Sequence, residues 1–536
     1  MQRWNGWGDE KINYPIPENA KGYLADILGD EQHLPDASLE STISKIPRSQ
    51  FDNVAFISTD PVDRIVHSHG QSLPDWINIR SGQIPKATDG VIYPNSEGEI
   101  KKAIDFAVEN NIILIPYGGG TSVVGHINPP PIGTPTLTLD LARMNHLLDL
   151  DQYSQLAIFE AGIKGPNIET ALNQVGFTLG HFPQSFEYST LGGWIATRSC
   201  GQQSFFYGRI EDLFRGGKLV SPIGDIELPP FPASAAGPDL KQIILGSEGR
   251  LGIISQAIVQ LQSLPQFEDF YGIFFRDWED GVNAVKEIAQ KGIQLSMLRL
   301  SDPQETETTL VLSGKGNLLP YVDFGLSKLG YGEQRCLLIM GVTGDKTSSL
   351  KAKSAALRVC RKYRGLYTGN YVGKSWRKSR FLAPYLRNTL WEAGYALDTL
   401  ETAVPWDKVD QAKKTIIRSI SEAVETENQR VLVFGHISHV YQTGASIYIT
   451  YLFRRSADPQ ENLERWQIMK GAASQAIIEQ GGTISHQHGI GQDHIQYLSA
   501  EKGSLGIELL ENVSNFFDPQ AILNPQKLFN SDQFKQ

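Results

Sequence analysis

Three cysteines in 536 residues, Cys200, Cys336 and Cys360, lie far apart and form neither a CxxC nor a CxH pair. A disulfide framework and a zinc site are therefore not indicated, no metal is expected, and a reducing compartment follows. Long hydrophobic runs are missing too. No stretch approaches the ~20 unbroken apolar residues that span a bilayer, and Met1-Gln2-Arg3-Trp4-Asn5-Gly6-Trp7-Gly8 lacks the apolar core of a secretory signal. The closing Phe534-Lys535-Gln536 is not a peroxisomal-type address. A cytoplasmic protein is the expectation. Positive charge is in deficit: 49 Lys and Arg against 59 Asp and Glu give a formal charge of −10 and no basic stripe, which disfavours nucleic acid as a partner. A few local arginines would still suffice for a phosphate-bearing small substrate. Internal repeats and low-complexity tracts are absent as well.

What remains is ordinary globular composition, 40% hydrophobic and 20% charged, in a chain long enough for two or three domains. Residues 1–84 are polar, Pro-dotted and weakly periodic, an extended arm with short helices. Then the pattern turns to strand, helix, strand. Gly90-Val91-Ile92-Tyr93-Pro94 is a short apolar run, Ser96-Glu97-Gly98-Glu99 opens a helix like a capping box, and Ile112-Ile113-Leu114-Ile115-Pro116 is the next strand. Strand-like and helical stretches follow at Thr136 to Asp140, around Asn167 to Val175, and from Gln242-Ile243-Ile244-Leu245-Gly246 to Leu261, closing a domain over 85–264. A strand (Tyr271 to Phe275) and a helix (Gly281 to Gln290) open a second domain over 265–475, and 476–536 forms a C-terminal segment.

Three glycine-rich segments carry the chemistry. In Pro116-Tyr117-Gly118-Gly119-Gly120-Thr121-Ser122, glycines after a buried strand let backbone N–H groups turn around an anion, and two hydroxyls add donors. The loop reads as a phosphate nest or as a plain turn; it is neither the Gly-x-Gly-x-x-Gly fingerprint nor a P-loop. Between His181 and Gly201 hydroxyls and glycines crowd together: Gln184-Ser185, Ser189-Thr190, Gly192-Gly193 and Thr197-Arg198-Ser199-Cys200. Irregular loops of that length are uncommon unless functional. Gly246-Ser247-Glu248-Gly249-Arg250-Leu251-Gly252-Ile253-Ile254 offers backbone at close-approach glycines beside an apolar face suited to a ring system.

Pro-x-Gly-Gly-Gly-Thr-Ser, Ser-Thr-x-Gly-Gly-Trp and Gly-Ser-Glu-Gly-x-Leu-Gly, in that order, resemble the vanillyl-alcohol oxidase type of FAD domain, and within it the alkyldihydroxyacetonephosphate synthases. The likeness runs from Trp4-Asn5-Gly6-Trp7-Gly8 through Asp63-Arg64 and His69-Gly70 to Phe517-Asp518-Pro519 and Asn524-Pro525. It implies an α+β fold: a two-subdomain PCMH-type FAD-binding domain, and a cap domain for substrate with an antiparallel sheet flanked by helices. Residues 116–122, 184–190, 197–200 and 248–254 would line non-covalent FAD, with Gly192, Gly193 and His181 beside it.

The same resemblance gives Arg387 and Arg299 as arginines that hold the substrate; guanidinium forks suit phosphate or carboxylate, although structural ion pairs are the bland alternative for both. Tyr448 falls at the acid/base tyrosine, which a cationic neighbour could activate by lowering its pKa; on its own it reads as a strand tyrosine. In Ser485-His486-Gln487-His488-Gly489, His486 and His488 alternate, suited to proton transfer, anion contact or metal binding, or simply satisfied as polar histidines. The synthases carry three consecutive histidines followed by basic residues. Here Gln487, Gln492 and His494 depart from that pattern, removing one proton carrier and two positive charges.

The synthase reading implies exchange of the acyl group of acyl-dihydroxyacetone phosphate for a long-chain alcohol through a flavin N5 adduct, without net redox change. The substrate is then lipid-like or a small anion, and a homodimer with peripheral membrane contact is the expected arrangement. The alternatives are an FAD-linked oxidase or dehydrogenase of a D-2-hydroxy acid, and a flavin-free scaffold on an enzyme fold.

Overall fold

Buried β-branched runs make the first layer. In the computed structural model, which describes residues 2–312, 319–425 and 429–529, β1 (Gly90–Ile92), β2 (Ile113–Tyr117) and β3 (Thr136–Asp140) form a parallel sheet in the order β1-β3-β2. The helix Glu97–Glu109 crosses between them and buries Ile100, Ala103, Ile104 and Ala107, one stripe at helical spacing. Ser96 caps it by accepting from the Glu99 N–H, but the expected reciprocal half is displaced. Glu99 Oε2 accepts from the Asn95 N–H (2.8 Å) and the Asn95 side chain rather than from Ser96.

A second, antiparallel sheet packs on the same core: β4 (Leu147–Asp151), β5 (Leu156–Glu160), β6 (Phe214–Ser221), β7 (Gly224–Leu228) and β8 (Ile253–Gln260), ordered β4-β5-β8-β6-β7. The apolar run at 242–246 is not a strand but a single helical turn, Lys241–Ile244. Gly246 follows it at φ 80°, where its N–H turns back to the Ile195 carbonyl (3.1 Å).

The third sheet has seven antiparallel strands: β9 (Phe267–Phe275), β10 (Met297–Ser301), β11 (Cys336–Gly344), β12 (Leu366–Tyr367), β13 (Tyr395–Pro405), β14 (Val431–Val440) and β15 (Gly444–Arg454), ordered β12-β9-β11-β10-β14-β15-β13. Alternation assigns its faces. Leu338, Met340, Val433, Ile437, Ile447 and Ile449 join the core beneath the helices Trp278–Gln290, Lys346–Lys362, Val409–Glu425 and Pro459–Glu479. Their neighbours Leu337, Ile339, Phe434, His436, Tyr448 and Thr450 face a cavity instead.

The chain ends close the assembly. Trp7, Leu73, Trp76 and Ile77 enter the larger core. After the helix Ile495–Phe517, Leu523 bridges to Leu114 of β2 and its carbonyl accepts from Arg250 (2.9 Å). Among the described residues no helix is long and apolar enough to cross a membrane.

Candidate active site

The loop after β2 is folded against the segment 188–190 so closely that only glycine fits. A Cβ on Gly119 would run into the Tyr188 carbonyl, one on Gly118 into the Thr190 hydroxyl, and Gly120 stands at φ 67°. Thr190 in turn caps the helix Leu191–Thr197, accepting from the Gly193 N–H (3.3 Å). The third segment meets the first where Gly249, at φ 78°, passes the Pro116 ring. Glu248 fastens it to the C-terminal half: its carboxylate accepts from the N–H groups of Ile490 (2.6 Å) and Gly491 (2.9 Å). Asn524 donates to the Glu248 and His126 carbonyls (2.7 and 3.0 Å).

These segments form one end of a cavity of about 1010 Å³, and the other end lies under β10, β13, β14 and β15. Residues 116–122, Gln184, Ser185, Ser189, Thr190, Gly192, Gly193, Thr197, Ser199 and Cys200 all reach its wall, as do Glu248, Gly249, Gly252, Ile253 and Ile254. His181, Arg198 and Leu251 do not. His181 is buried against the Trp194 ring (4.7 Å), with Nε2 on Ser199 Oγ (3.2 Å), and burial together with Arg209 holds its pKa at about 3. The Arg198 side chain turns outward to Gln242 and Glu211. Leu251 is part of the core shared by the first two sheets.

At the far end Glu401, Tyr448 and His436 are direct cross-strand neighbours on β13, β15 and β14, so register alone puts them on one face. The Tyr448 ring stacks on His436 (5.1 Å) and meets His488 edge-on (5.7 Å). His488 Nδ1 lies 3.1 Å from Glu401 Oε2. The contact is not aligned as a hydrogen bond, since Glu401 Oε2 has no hydrogen-bond partner, but the carboxylate charge favours the proton on Nδ1, with Nε2 as the acceptor. Burial holds His488 below its ordinary pKa, opposed by Glu401. The anticipated lowering of the Tyr448 pKa is reversed. Burial pushes the phenol up, Glu401 and Asp398 push the same way, and the opposing hydrogen bond with Thr399 and the weaker Arg387 charge do not offset them. Tyr448 is a neutral phenol at rest.

The two arginines part company. Arg299 is satisfied: Nη1 donates to Ser301 Oγ (3.0 Å) and Nη2 to Glu305 Oε1 (2.6 Å), which also lies 2.9 Å from His436 Nδ1. Burial would raise the Glu305 carboxyl, but Arg299 and His436 outweigh it and hold it at about 2. Arg387, from the helix Ala383–Glu392, is unsatisfied. Nη1 donates to the Gln71 carbonyl and the guanidinium lies 4.4 Å over Trp76, while Nε and Nη2 are buried with no partner. Burial lowers its pKa to about 10. It is a desolvated cation with donors left over, at the wall of the cavity.

An apolar arm leads away from Arg387, between the sheet and the helices Glu18–Leu28, Pro303–Leu312 and Ala383–Glu392. Leu24, Leu312, Leu390, Leu397, Phe434 and Leu452 form its wall.

The FAD binding domain model matches residues 88–228, and the model for the C-terminal domain of FAD linked oxidases matches residues 264–528. Alkyldihydroxyacetonephosphate synthase of Dictyostelium discoideum is 30% identical over 98% of this chain and 93% of its own length. The Caenorhabditis elegans synthase is 30% identical over 98% and 95%. A solved structure of an alkyldihydroxyacetonephosphate synthase superposes with a TM-score of 0.84 at 28% identity, covering 98% of this chain and 99% of that one.

The chain belongs to the alkyldihydroxyacetonephosphate synthase family.

FAD is the cofactor of this family member, and the cradle fits it. Glycine backbone from three segments lines the cavity where a pyrophosphate and a flat ring would lie, and Cβ atoms at Gly118, Gly119 and Gly249 would force those segments apart. Within the synthase site, His486 is set back: it does not reach the cavity, whereas Gln487 and His488 on either side of the same loop do. Gln492 packs against Gly125, and His494 Nδ1 is on the Gly489 carbonyl (3.1 Å), so neither departure touches the cavity wall. Glu401, Arg209 and Tyr441 escaped sequence reasoning. Only Glu401 had a signal, its alternation with Thr399 on a strand, and that signal marks a face without naming a partner.

Proposed function

We propose that this chain exchanges the acyl group of acyl-dihydroxyacetone phosphate for a long-chain alcohol, releasing a fatty acid and forming the ether. The supporting observation is the cavity itself: an apolar arm ends at a buried arginine with two idle donors, beside Tyr448 and His488. Arg387 holds the phosphate, and the arm takes the aliphatic chain at about 0.8 kcal/mol per buried CH₂. Bound FAD supplies an oxidised ring that accepts electron density from substrate C1 and returns it, so atoms and electrons balance without an external acceptor. Tyr448 and His488 move the C1 proton. The phenol is neutral, so the His488 Nε2 lone pair is the resting acceptor, and Glu401 fixes the tautomer that exposes it. Glu305 neutralises Arg299, which therefore shapes the wall under Tyr448 rather than offering a free charge.

The domain division at 264/265 belongs to this reading, with the glycine segments on one side and the proton carriers on the other. So does contact with a membrane surface, where amphiphilic substrates reside. The helix Tyr371–Ser379 supports it, carrying Lys374, Arg377 and Lys378 beside a cavity wall that includes Tyr371. Liposome sedimentation tests that contact.

The deciding experiment mixes flavin-loaded protein anaerobically with acyl-dihydroxyacetone phosphate and labelled hexadecanol. Fatty-acid release matched by labelled ether is expected. Bleaching of the flavin by a D-2-hydroxy acid, with no fatty acid released, would overturn the proposal in favour of an oxidoreductase.

A further inference from the structure

Behind the cavity wall, Arg209 enters a pocket formed by segments far apart in sequence. Its Nη1 lies 2.8 Å from His486 Nε2 and 3.1 Å from the Tyr441 hydroxyl; Nη2 donates to the carbonyls of His486 (3.0 Å) and Arg198 (3.2 Å); Nε is 3.1 Å from Glu211 Oε1. Tyr441 Oη is itself 2.5 Å from His486 Nε2. A guanidinium has donors and no acceptor, so His486 Nε2 must carry a lone pair rather than a proton. The hydroxyl completes the triangle by accepting from Arg209 and donating to the same nitrogen.

The consequence lies on the other side of the ring. His486 Nδ1 must hold the proton, and it is buried with no hydrogen-bond partner. The Gln487 side chain lies beside it and beside His439, whose ring stacks on His486 at 5.1 Å. Gln487 Oε1 is buried with no hydrogen-bond partner, the acceptor counterpart of the unpartnered His486 N–H, while Gln487 and His439 both reach the cavity.

We infer that Arg209 is a positioning residue. It pins His486 as the neutral Nδ1–H imidazole, whose N–H selects Oε1 of the Gln487 amide, leaving the amide NH₂ as a fixed donor toward the cavity. At this position the loop thus presents a donor that does not titrate, and proton traffic is confined to Tyr448 and His488. The groups facing His486 agree. Arg209 and Glu211 come from one segment, His439 and Tyr441 from β14 and the turn after it, Cys200 from the flavin side, and His488 from its own loop. Arg209 is the cation among them in direct contact, and burial, His439 and Arg209 all keep His486 uncharged.

This deepens the synthase reading, but its first test does not depend on it. Histidine-selective ¹⁵N NMR of the flavin-loaded protein, assigned with His486→Asn, should show His486 as the Nδ1–H tautomer, unchanged from about pH 5.5 to 8. In Arg209→Met the Nδ1–H form should no longer be held alone and the Nε2–H tautomer should appear, while burial and His439 still keep the ring uncharged. An Nε2–H tautomer or a titrating His486 in the wild type would overturn the inference, even if Arg209→Met does not fold. So would a folded Arg209→Met in which His486 keeps the Nδ1–H tautomer alone. For the acyl exchange, Arg209→Met should lower kcat about tenfold with KM little changed. Arg209→Met/His486→Asn should be no slower than His486→Asn alone; a further loss would place the effect elsewhere. Absence of exchange in the wild type would count against the synthase reading alone, leaving the NMR result to decide Arg209.

Discussion

Replacing Arg387 by methionine separates binding from stability, because the structure gives the two effects opposite signs. The guanidinium has buried Nε and Nη2 donors with no partner. Charge-assisted bonds to a phosphate are worth about 1.5–3 kcal/mol each, so losing two should lower kcat/KM by roughly 10²- to 10⁴-fold. Burial also depresses the folded-state pKa from 12.5 to about 10. For a base this means that the charged form is penalised on folding, by on the order of 3 kcal/mol. That cost is present throughout the physiological range and is relieved only as pH rises through about 10. Against it stand the bond to Gln71 and the contact with Trp76, each worth about 1 kcal/mol. Arg387→Met without ligand should therefore unfold at the wild-type temperature or above it. Thermal unfolding of the flavin-loaded proteins with and without glycerol 3-phosphate reads both effects: the ligand should raise the midpoint of the wild type and leave the variant unmoved. A variant that is several kcal/mol less stable yet keeps the full ligand response would refute the argument and make Arg387 a structural residue.

Tyr448→Phe should leave the visible flavin spectrum intact and lower turnover by about 10²-fold or more; a near-normal rate would send the proton elsewhere. Glu401→Gln keeps an acceptor for the backbone N–H groups of Gln487 and His488 but puts an amide NH₂ against His488 Nδ1. The opposite tautomer then follows, and kcat should fall by about 10²-fold or more with KM little changed. Gly119→Ala drives a Cβ into the Tyr188 carbonyl, so the purified protein should carry little flavin, read as the ratio of absorbance at the flavin and protein bands. Glu305 has its folded pKa depressed to about 2, so its stabilisation is complete above the ordinary value of about 4.5 and is lost as pH falls toward 2. Acid unfolding of Glu305→Gln should accordingly show a weaker dependence on pH across that window.

The flavin half was legible because its chemistry is written in backbone. A glycine needed for close approach has no substitute, so 116–122 and 246–254 announce themselves in the chain, and the cavity wall receives all of the first and Glu248, Gly249, Gly252, Ile253 and Ile254 of the second. Side chains that share a segment with the wall but do not reach it include Phe186, Glu187 and Tyr188, Arg198 at φ 52°, Arg250, Leu251 in the core, and His181 under Trp194. The substrate half is made of pairs from distant strands, and strand register is not encoded locally. Tyr448 could be named, but its environment could not. The carboxylates that push its pKa up, Glu401 and Asp398, arrive from β13, and the cation that opposes them, Arg387, acts more weakly than either. The same limit explains the histidine loop. Alternation suggested that His486 and His488 point one way together, which holds on a strand. Residues 485–489 form a turn instead, wrapped around Ser485 Oγ, which accepts from His488 and Gly489. The turn sends His488 to Glu401 and His486 to Arg209, a carboxylate for one and a guanidinium for the other. Because one partner only accepts and the other only donates, the two rings work to different ends: His488 lines the cavity beside Tyr448, and His486 spends its lone pair on Arg209. The departure at Gln487 then falls between a working proton carrier and a silent one, where an amide that neither gains nor loses charge is compatible with both.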